Sequence, residues 1–596
     1  MVEPFKLQST DAARWFRDNI SCLSACPVDT EAYLYVIALG RGDYETAYEI
    51  ARKPNPFPYV CGEVCGHPCE QACRRGVIDE PISIRALKRT ATELHNRERG
   101  HALGLSQASP REDTVAIIGA GPAGLTCAHD LARLGYRVTI FEAAEKPGGM
   151  MVLGIPEYRL SRDIIQMEID EILNLGVELQ CKQALGKDYS LADLKQQGFG
   201  AVFLAIGAHC SKELHLEGRE LDGVINGIEF LLNVNLGYQV ELGRRVLVIG
   251  GGDVAIDVAR TAMREGAEET QLSTTLDAAR AAKRLGSHEV QILYRKSREL
   301  MSARAEEIEE AEREGVLFHT NIVPTGIVGE AGKVTGLKTV RCVWNRDAEG
   351  HLQPTVVEGS ENVIPIDSIV LAIGQTSDLS FLQPEDGIET TDSGSVKVDA
   401  ETLATSAPGI FAGGDCAFGP RLLIDAEGDG RKAARSIHQL LEGNACLQRQ
   451  VELPVVPLRD LWDTYDEIPR EPPPTVPLNR RTGFTKVELP YSLEQAALEA
   501  SRCLHCHQNI FLDGELCILC GGCVDVCPYD CIAMTSASRI DWENEANDFP
   551  DASEGEGYAM ILDETACIRC GLCVSRCPTA AIEMRSFELQ EEWVYD

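Results

Sequence analysis

One cysteine pattern constrains this chain more than any other feature. Cys517-x-x-Cys520-x-x-Cys523-x-x-x-Cys527-Pro528 returns as Cys567-x-x-Cys570-x-x-Cys573-x-x-x-Cys577-Pro578. Three thiolates at that spacing grip one face of a cubane cluster, and in a doubled run the fourth cysteine serves the other cluster. The pattern predicts one [4Fe-4S] cluster on Cys517, Cys520, Cys523 and Cys577, and a second on Cys567, Cys570, Cys573 and Cys527. The alternative is a pair of zinc sites, which prefer two separated Cys-x-x-Cys hooks. Cys531, just past the first run, is expected to pack rather than ligate.

The remaining cysteines follow the same logic. The chain has 23 in 596 residues, far too many for a reducing compartment unless most hold metal. Six fall between 22 and 73 and eleven between 503 and 577, leaving six scattered through the middle that read as small buried hydrophobes. A net charge of −36 repels phosphate backbones, so nucleic acid is an unexpected partner. No stretch approaches the roughly 18 apolar residues of a membrane span. The N-terminus lacks a basic region followed by an apolar run, which predicts a cytoplasmic chain.

From 114 to about 445 the texture is β-branched runs, glycine turns and helices, which predicts parallel sheets in doubly wound α/β domains. Gly119-Ala120-Gly121-Pro122-Ala123-Gly124 follows the strand Val115–Ile118, and Glu142 ends the next strand. Such glycines let backbone amides approach a pyrophosphate at a helix N-terminus, while the acid accepts ribose hydroxyls. Gly149 and the later Gly414-Asp415 complete a combination that recurs in flavoproteins with two dinucleotide sites, so FAD is the expected occupant. A second turn, Gly250-Gly251-Gly252-Asp253-Val254-Ala255, follows the strand Val246–Ile249. The strand after it ends in Arg295-Lys296 instead of an acid, which suits the 2′-phosphate of NADP(H) over NAD. A solvated strand end is the alternative. The stretch 267–288 reads as a helical insertion, and 454–490, with eight of the 28 prolines, as a stiff linker.

With these motifs in place, residues 20–445 resemble the small subunit of glutamate synthase and the NADPH-binding subunit of electron-bifurcating ferredoxin:NADP transhydrogenases. They are also similar to the N-terminal half of dihydropyrimidine dehydrogenase. The pattern is carried by Gly148-Gly149-Met150, Gly154-Ile155-Pro156-Glu157-Tyr158-Arg159-Leu160, Ala205-Ile206-Gly207, Tyr294-Arg295-Lys296-Ser297-Arg298-Glu299-Leu300-Met301, Ala372-Ile373-Gly374-Gln375 and Ala412-Gly413-Gly414-Asp415. The resemblance implies a multi-domain α/β chain: a helical iron–sulfur cap (1–110), an FAD domain (111–235 with 370–445) and an NAD(P) domain (236–369). A Pro-rich linker (446–500) and a bacterial ferredoxin-like α+β domain (501–596) follow.

Carried onto this chain, the family's cap pattern implies a [4Fe-4S] cluster on Cys26, Cys65, Cys69 and Cys73. The family's early Arg-Cys-Leu-x-Cys is absent from the N-terminus and appears instead as Arg502-Cys503-Leu504-His505-Cys506. Cys503 and Cys506 can fold back to join Cys22, and Cys61 too, in a fourth cluster; free thiols or a zinc site using His505 or His507 are the alternatives. The implied function is an NAD(P)H-dependent flavin and iron–sulfur oxidoreductase subunit within a larger, conceivably bifurcating, complex. Its expected partners are other subunits or a ferredoxin. A scaffold whose flavin domain does not turn over NADPH and a stand-alone reductase are the rival readings, and no general acid or base is expected.

Overall fold

The computed structural model describes residues 5–7, 10–99, 107–265, 289–346, 352–443, 446–458, 468–481, 485–536, 539 and 557–595. The insertion expected over 267–288 lies outside them.

Two five-stranded parallel sheets form the centre of the molecule. The first runs in the order Ile410–Ala412, Ala201–Leu204, Thr114–Ile118, Arg137–Glu142, Glu178–Cys181. Its central strands Ala201–Leu204 and Thr114–Ile118 are apolar and buried on both faces. Helix Pro122–Arg133 packs on helix Leu423–Glu442 so closely that a Cβ at Gly430 would sit 2.2 Å from the Ala123 carbonyl. The second sheet runs Leu317–Thr320, Glu289–Tyr294, Arg245–Ile249, Ser368–Leu371, Val224–Asn226.

That order moves the expected boundaries. The chain enters the second sheet at Val224 and leaves it after Leu371, so 224–235 and 370–371 belong with the second sheet. Val224–Asn226 is short and half-buried, and only its pairing with Ile369–Leu371 shows that it is a strand. An antiparallel sheet of Ile322–Glu330, Lys333–Arg346, Leu352–Val356 and Asn362–Pro365 leans on the second sheet.

The cap packs helices Ala32–Gly40, Tyr44–Arg52 and Ile84–Arg99 around Tyr35, Leu39 and Leu87, while helix Pro58–Val64 turns Tyr59, Val60 and Val64 into the core of the first sheet. Asp43 caps the second of them, accepting the Thr46 N–H at 3.1 Å. The same core takes in Tyr491, Ala496 and Ala500 from far along the chain.

This corrects the linker reading. Cys446–Leu453 is the central strand of a three-stranded antiparallel sheet, between Phe5–Leu7 and Glu588–Val594. Farther on, Glu488 pairs with Arg85 at 2.6 Å and Lys486 with the buried Glu63 at 2.7 Å. The proline-rich stretch is thus laid along the cap, because its charges and Tyr491 have partners there. The C-terminal module has two two-stranded sheets, Gln508–Leu512 with Ile582–Ser586 and Ile532–Ser536 with Tyr558–Leu562. Among the described residues no helix is long and apolar enough to cross a membrane.

Candidate cofactor sites

The first sheet's glycine loops open onto a cavity of about 430 Å³, within the range that ordinarily holds a cofactor. Gly119, Gly121, Pro122, Ala123, Glu142, Gly149, Gly414 and Asp415, all expected from sequence, line it. Gly124 does not: it packs below the loop, where a Cβ would strike the Gly119 carbonyl at 2.0 Å. Gly149 has φ +51°, and a Cβ there would meet the Gly121 Cα at 2.9 Å, so the two loops touch back to back. A Cβ on Gly121 would meet no protein atom within 4 Å, leaving that backbone free to approach a ligand. Glu142 fixes the loop's shape: one carboxylate oxygen accepts the Ala120 N–H and the other the Ala144 N–H, each at 2.7 Å. Burial pushes the Asp415 carboxyl up to about 6. The donor set, a bare glycine turn at a helix N-terminus with an acid at the next strand's end, fits the pyrophosphate and ribose of FAD.

The second turn lies at the head of helix Asp253–Glu265. A Cβ at Gly250 would sit 2.2 Å from the Ala372 carbonyl, and one at Gly251 2.4 Å from the Tyr294 ring, while Gly252 is more open. Ala255 is buried in the domain core. Of the expected NADP residues, Asp253 reaches the flavin cavity wall. Arg295 is exposed at the strand end, with its carbonyl accepting the Trp344 indole N–H at 2.6 Å, and the Lys296 ammonium lies 5.5 Å over the Trp344 ring.

Sequence reasoning singled out neither Asp257 nor Arg304, and quoted Arg159 only within a family motif. All three line the cavity where the two sheets face each other, Arg159 bonded to Asp257 at 2.6 Å. The Gly154–Leu160 motif was the available signal.

The cap cysteines are divided differently from expectation. The buried Lys88 ammonium faces Cys61, Cys26, Cys65 and Cys69. Cys22 faces Cys506, Cys503 and Cys73, and burial followed by these neighbours pushes its thiol up. Of the expected set Cys26, Cys65, Cys69 and Cys73, Cys73 has Cys22 and Cys506 as charged neighbours, whereas Cys69 has Cys26 and Cys65. Cys61, expected to side with Cys22, stands in the first group. Helix Pro68–Gln71 holds Cys69, and Cys73 follows it with an extended backbone. Thiols gathered in this way, buried at Cys26, Cys61 and Cys65 and half-buried at the others, fit thiolate-held clusters.

In the C-terminal module Cys570 faces Cys567 and Cys527, and Cys573 faces Cys567 and Cys570. Cys523 faces Cys517 and Cys520. Cys577 packs in the module core, its sulfur accepting the Ala581 N–H at 3.2 Å. Cys531 is buried with its sulfur 3.2 Å from that of Cys527.

Residues 113–430 match the pyridine nucleotide-disulphide oxidoreductase family, more than half of the chain. The chain belongs to that family. Within it, this oxidoreductase carries two further modules: residues 7–100 match dihydropyrimidine dehydrogenase domain II with its 4Fe-4S cluster, and 516–587 the 4Fe-4S dicluster domain. FAD, NADP(H) and [4Fe-4S] clusters are the cofactors these domains bring, and the chain is an NAD(P)H-dependent flavin and iron–sulfur oxidoreductase. Its relatives include the NADP(+)-dependent formate dehydrogenase subunit beta of Moorella thermoacetica, 38% identical over 82% of this chain and 70% of that one. The NADPH-Fe(3+) oxidoreductase subunit beta of Geobacter sulfurreducens is 36% identical over 82% of this chain and 75% of that one. The glutamate synthase [NADPH] small chain of Escherichia coli is 32% identical over 71% and 89%.

Proposed function

We propose that this chain is the NADPH-side subunit of a larger redox complex, and that its residues form a single-file electron path from the flavin cavity through the cap to the C-terminal module. The observation that carries it is the position of Cys65. Val64 and Gly66, its neighbours on either side, line the flavin cavity, while its sulfur belongs to the Cys26, Cys61, Cys65, Cys69 group.

The other steps follow from the same packing. Cys22, Cys73, Cys503 and Cys506 hold the second site, which the chain closes by bringing helix Leu493–Ser501 back onto the cap. Cys527, Cys567, Cys570 and Cys573 hold the third, and Cys517, Cys520, Cys523 and Cys577 the last. FAD bound at the Gly119–Gly124 turn, Glu142 and Asp415 would supply the conversion between a hydride pair and single electrons. The protein's part is to place the glycine loops, hold the carboxylates of Glu142 and Asp415 at the cavity wall, and space the thiolates.

At the far end Cys520 is exposed, surrounded in sequence by Leu516, Ile518 and Leu519, which are 50%, 64% and 40% exposed. Large apolar side chains in water beside a cluster ligand support a protein partner that draws electrons there. The subunit names of the Moorella and Geobacter relatives support membership of a complex.

Anaerobic titration with NADPH and, separately, NADH tests the reading. NADPH should bleach the flavin and then raise reduced-cluster EPR signals. A flavin that neither nucleotide reduces would leave the chain as a scaffold.

A further inference from the structure

We infer that Arg74 is the junction residue of the electron path, its charge holding up the reduction potentials of the two cluster sites on either side of it. The inference rests on the cluster placement proposed above. Arg74 follows Cys73 directly, and its guanidinium leaves the cap to donate to the Glu564 carbonyl of the C-terminal module at 2.7 Å. Its other nitrogen donates to Asn19 Oδ1 at 3.1 Å. There its charge acts on the sulfurs of two different groups, Cys506 of the cap site and Cys567 of the module site.

A second cation completes the junction. Arg569, buried between Cys567 and Cys570, donates to the same Glu564 carbonyl at 2.9 Å and also to the Cys567 carbonyl. Two guanidinium groups thus share one acceptor in the seam between two thiolate sites. The arrangement has a physical use. Each cluster with four thiolates is anionic and gains a further negative charge on reduction, so a cation in a partly dry seam favours the reduced form of both. It also offsets the repulsion that would otherwise push the two anionic sites apart. Arg74 touches neither reacting flavin nor nucleotide; it is a positioning residue.

The test is an EPR-monitored redox titration of the full chain with a chemical reductant, without nucleotide. Arg74→Gln should lower the potentials of the cap site nearest the module and of the Cys567 site by at least a tenfold change in electron equilibrium, about 59 mV for a one-electron couple. The flavin-side and outermost sites should move less. Arg74→Lys, which keeps the charge, should restore both. If Arg74→Gln fails to hold its clusters, Asn19→Asp, which places a carboxylate on the same guanidinium, should lower the same two potentials. Unmoved potentials in a variant with full iron content, or a Lys variant shifted as far as Gln, would overturn the inference. Absence of a cluster on Cys22, Cys73, Cys503 and Cys506 would instead overturn the reading beneath it.

Discussion

The Cys61 sulfur lies 3.2 Å from Oε1 of Glu427, joining the most deeply buried cysteine of the cap to a helix whose residues Leu423 and Ala426 line the flavin cavity. Glu427 is fully buried and burial pushes its carboxyl up. The cap is therefore not an appendage: its thiols and the flavin domain share one interior.

The regrouping of the cap thiols makes a sharp prediction about loss. Cys73→Ser and the double variant Cys503→Ser/Cys506→Ser should each remove the same EPR signal and about four irons per chain. Combining all three should remove no more. Cys61→Ser should disturb a different signal. Iron analysis with EPR of the reduced proteins checks this, and independent losses would contradict it.

Glu142 holds the flavin loop through two backbone hydrogen bonds. Its replacement by Ala leaves the Ala120 and Ala144 N–H groups without that partner, at a cost of roughly 1–3 kcal/mol. FAD should bind the apo-protein about ten- to hundredfold more weakly, measured by flavin fluorescence.

Nucleotide choice should follow the cations at the end of strand Glu289–Tyr294. Arg295→Ala with Lys296→Ala should lower kcat/KM for NADPH by about tenfold or more while changing that for NADH little, because charge-assisted hydrogen bonds to a phosphate contribute about 1.5–3 kcal/mol each. Steady-state kinetics with both nucleotides decides it.

His438 predicts a pH dependence. It is buried, with Nδ1 2.8 Å from the Tyr136 hydroxyl, Nε2 3.2 Å from the Tyr595 hydroxyl and the Trp593 ring edge-on. Burial and then the Arg111 charge lower its pKa to about 4. A base held below its ordinary value contributes stability above about pH 6.5 that is lost as pH falls through 4. His438→Gln should therefore unfold at a lower temperature than the parent near neutral pH, with the gap narrowing toward pH 4. A gap that stays constant would contradict it.

How much of this was legible in the sequence differs by site. The flavin loop could be read outright, since Gly119, Gly121 and Glu142 do their work within one strand–helix–strand unit whose geometry is local. The doubled run of the C-terminal module was equally plain, since its spacing is local and residues 516–587 match the 4Fe-4S dicluster domain. The neighbours of the cap thiols were less legible, because a return of the chain over more than 400 residues brings Cys503 and Cys506 beside Cys22. Cys446–Leu453 was hidden for a related reason: Gln448-Arg449-Gln450 reads as polar linker, and its partners are the two ends of the chain.

The most direct test of the single-file path is rapid freeze-quench EPR after mixing with NADPH, comparing the parent chain with Cys503→Ser/Cys506→Ser. The path predicts that the flavin is reduced at the same rate in both, while the signals of the C-terminal module appear promptly in the parent alone. Equally fast reduction of that module in the double variant would show that electrons reach it without the cap.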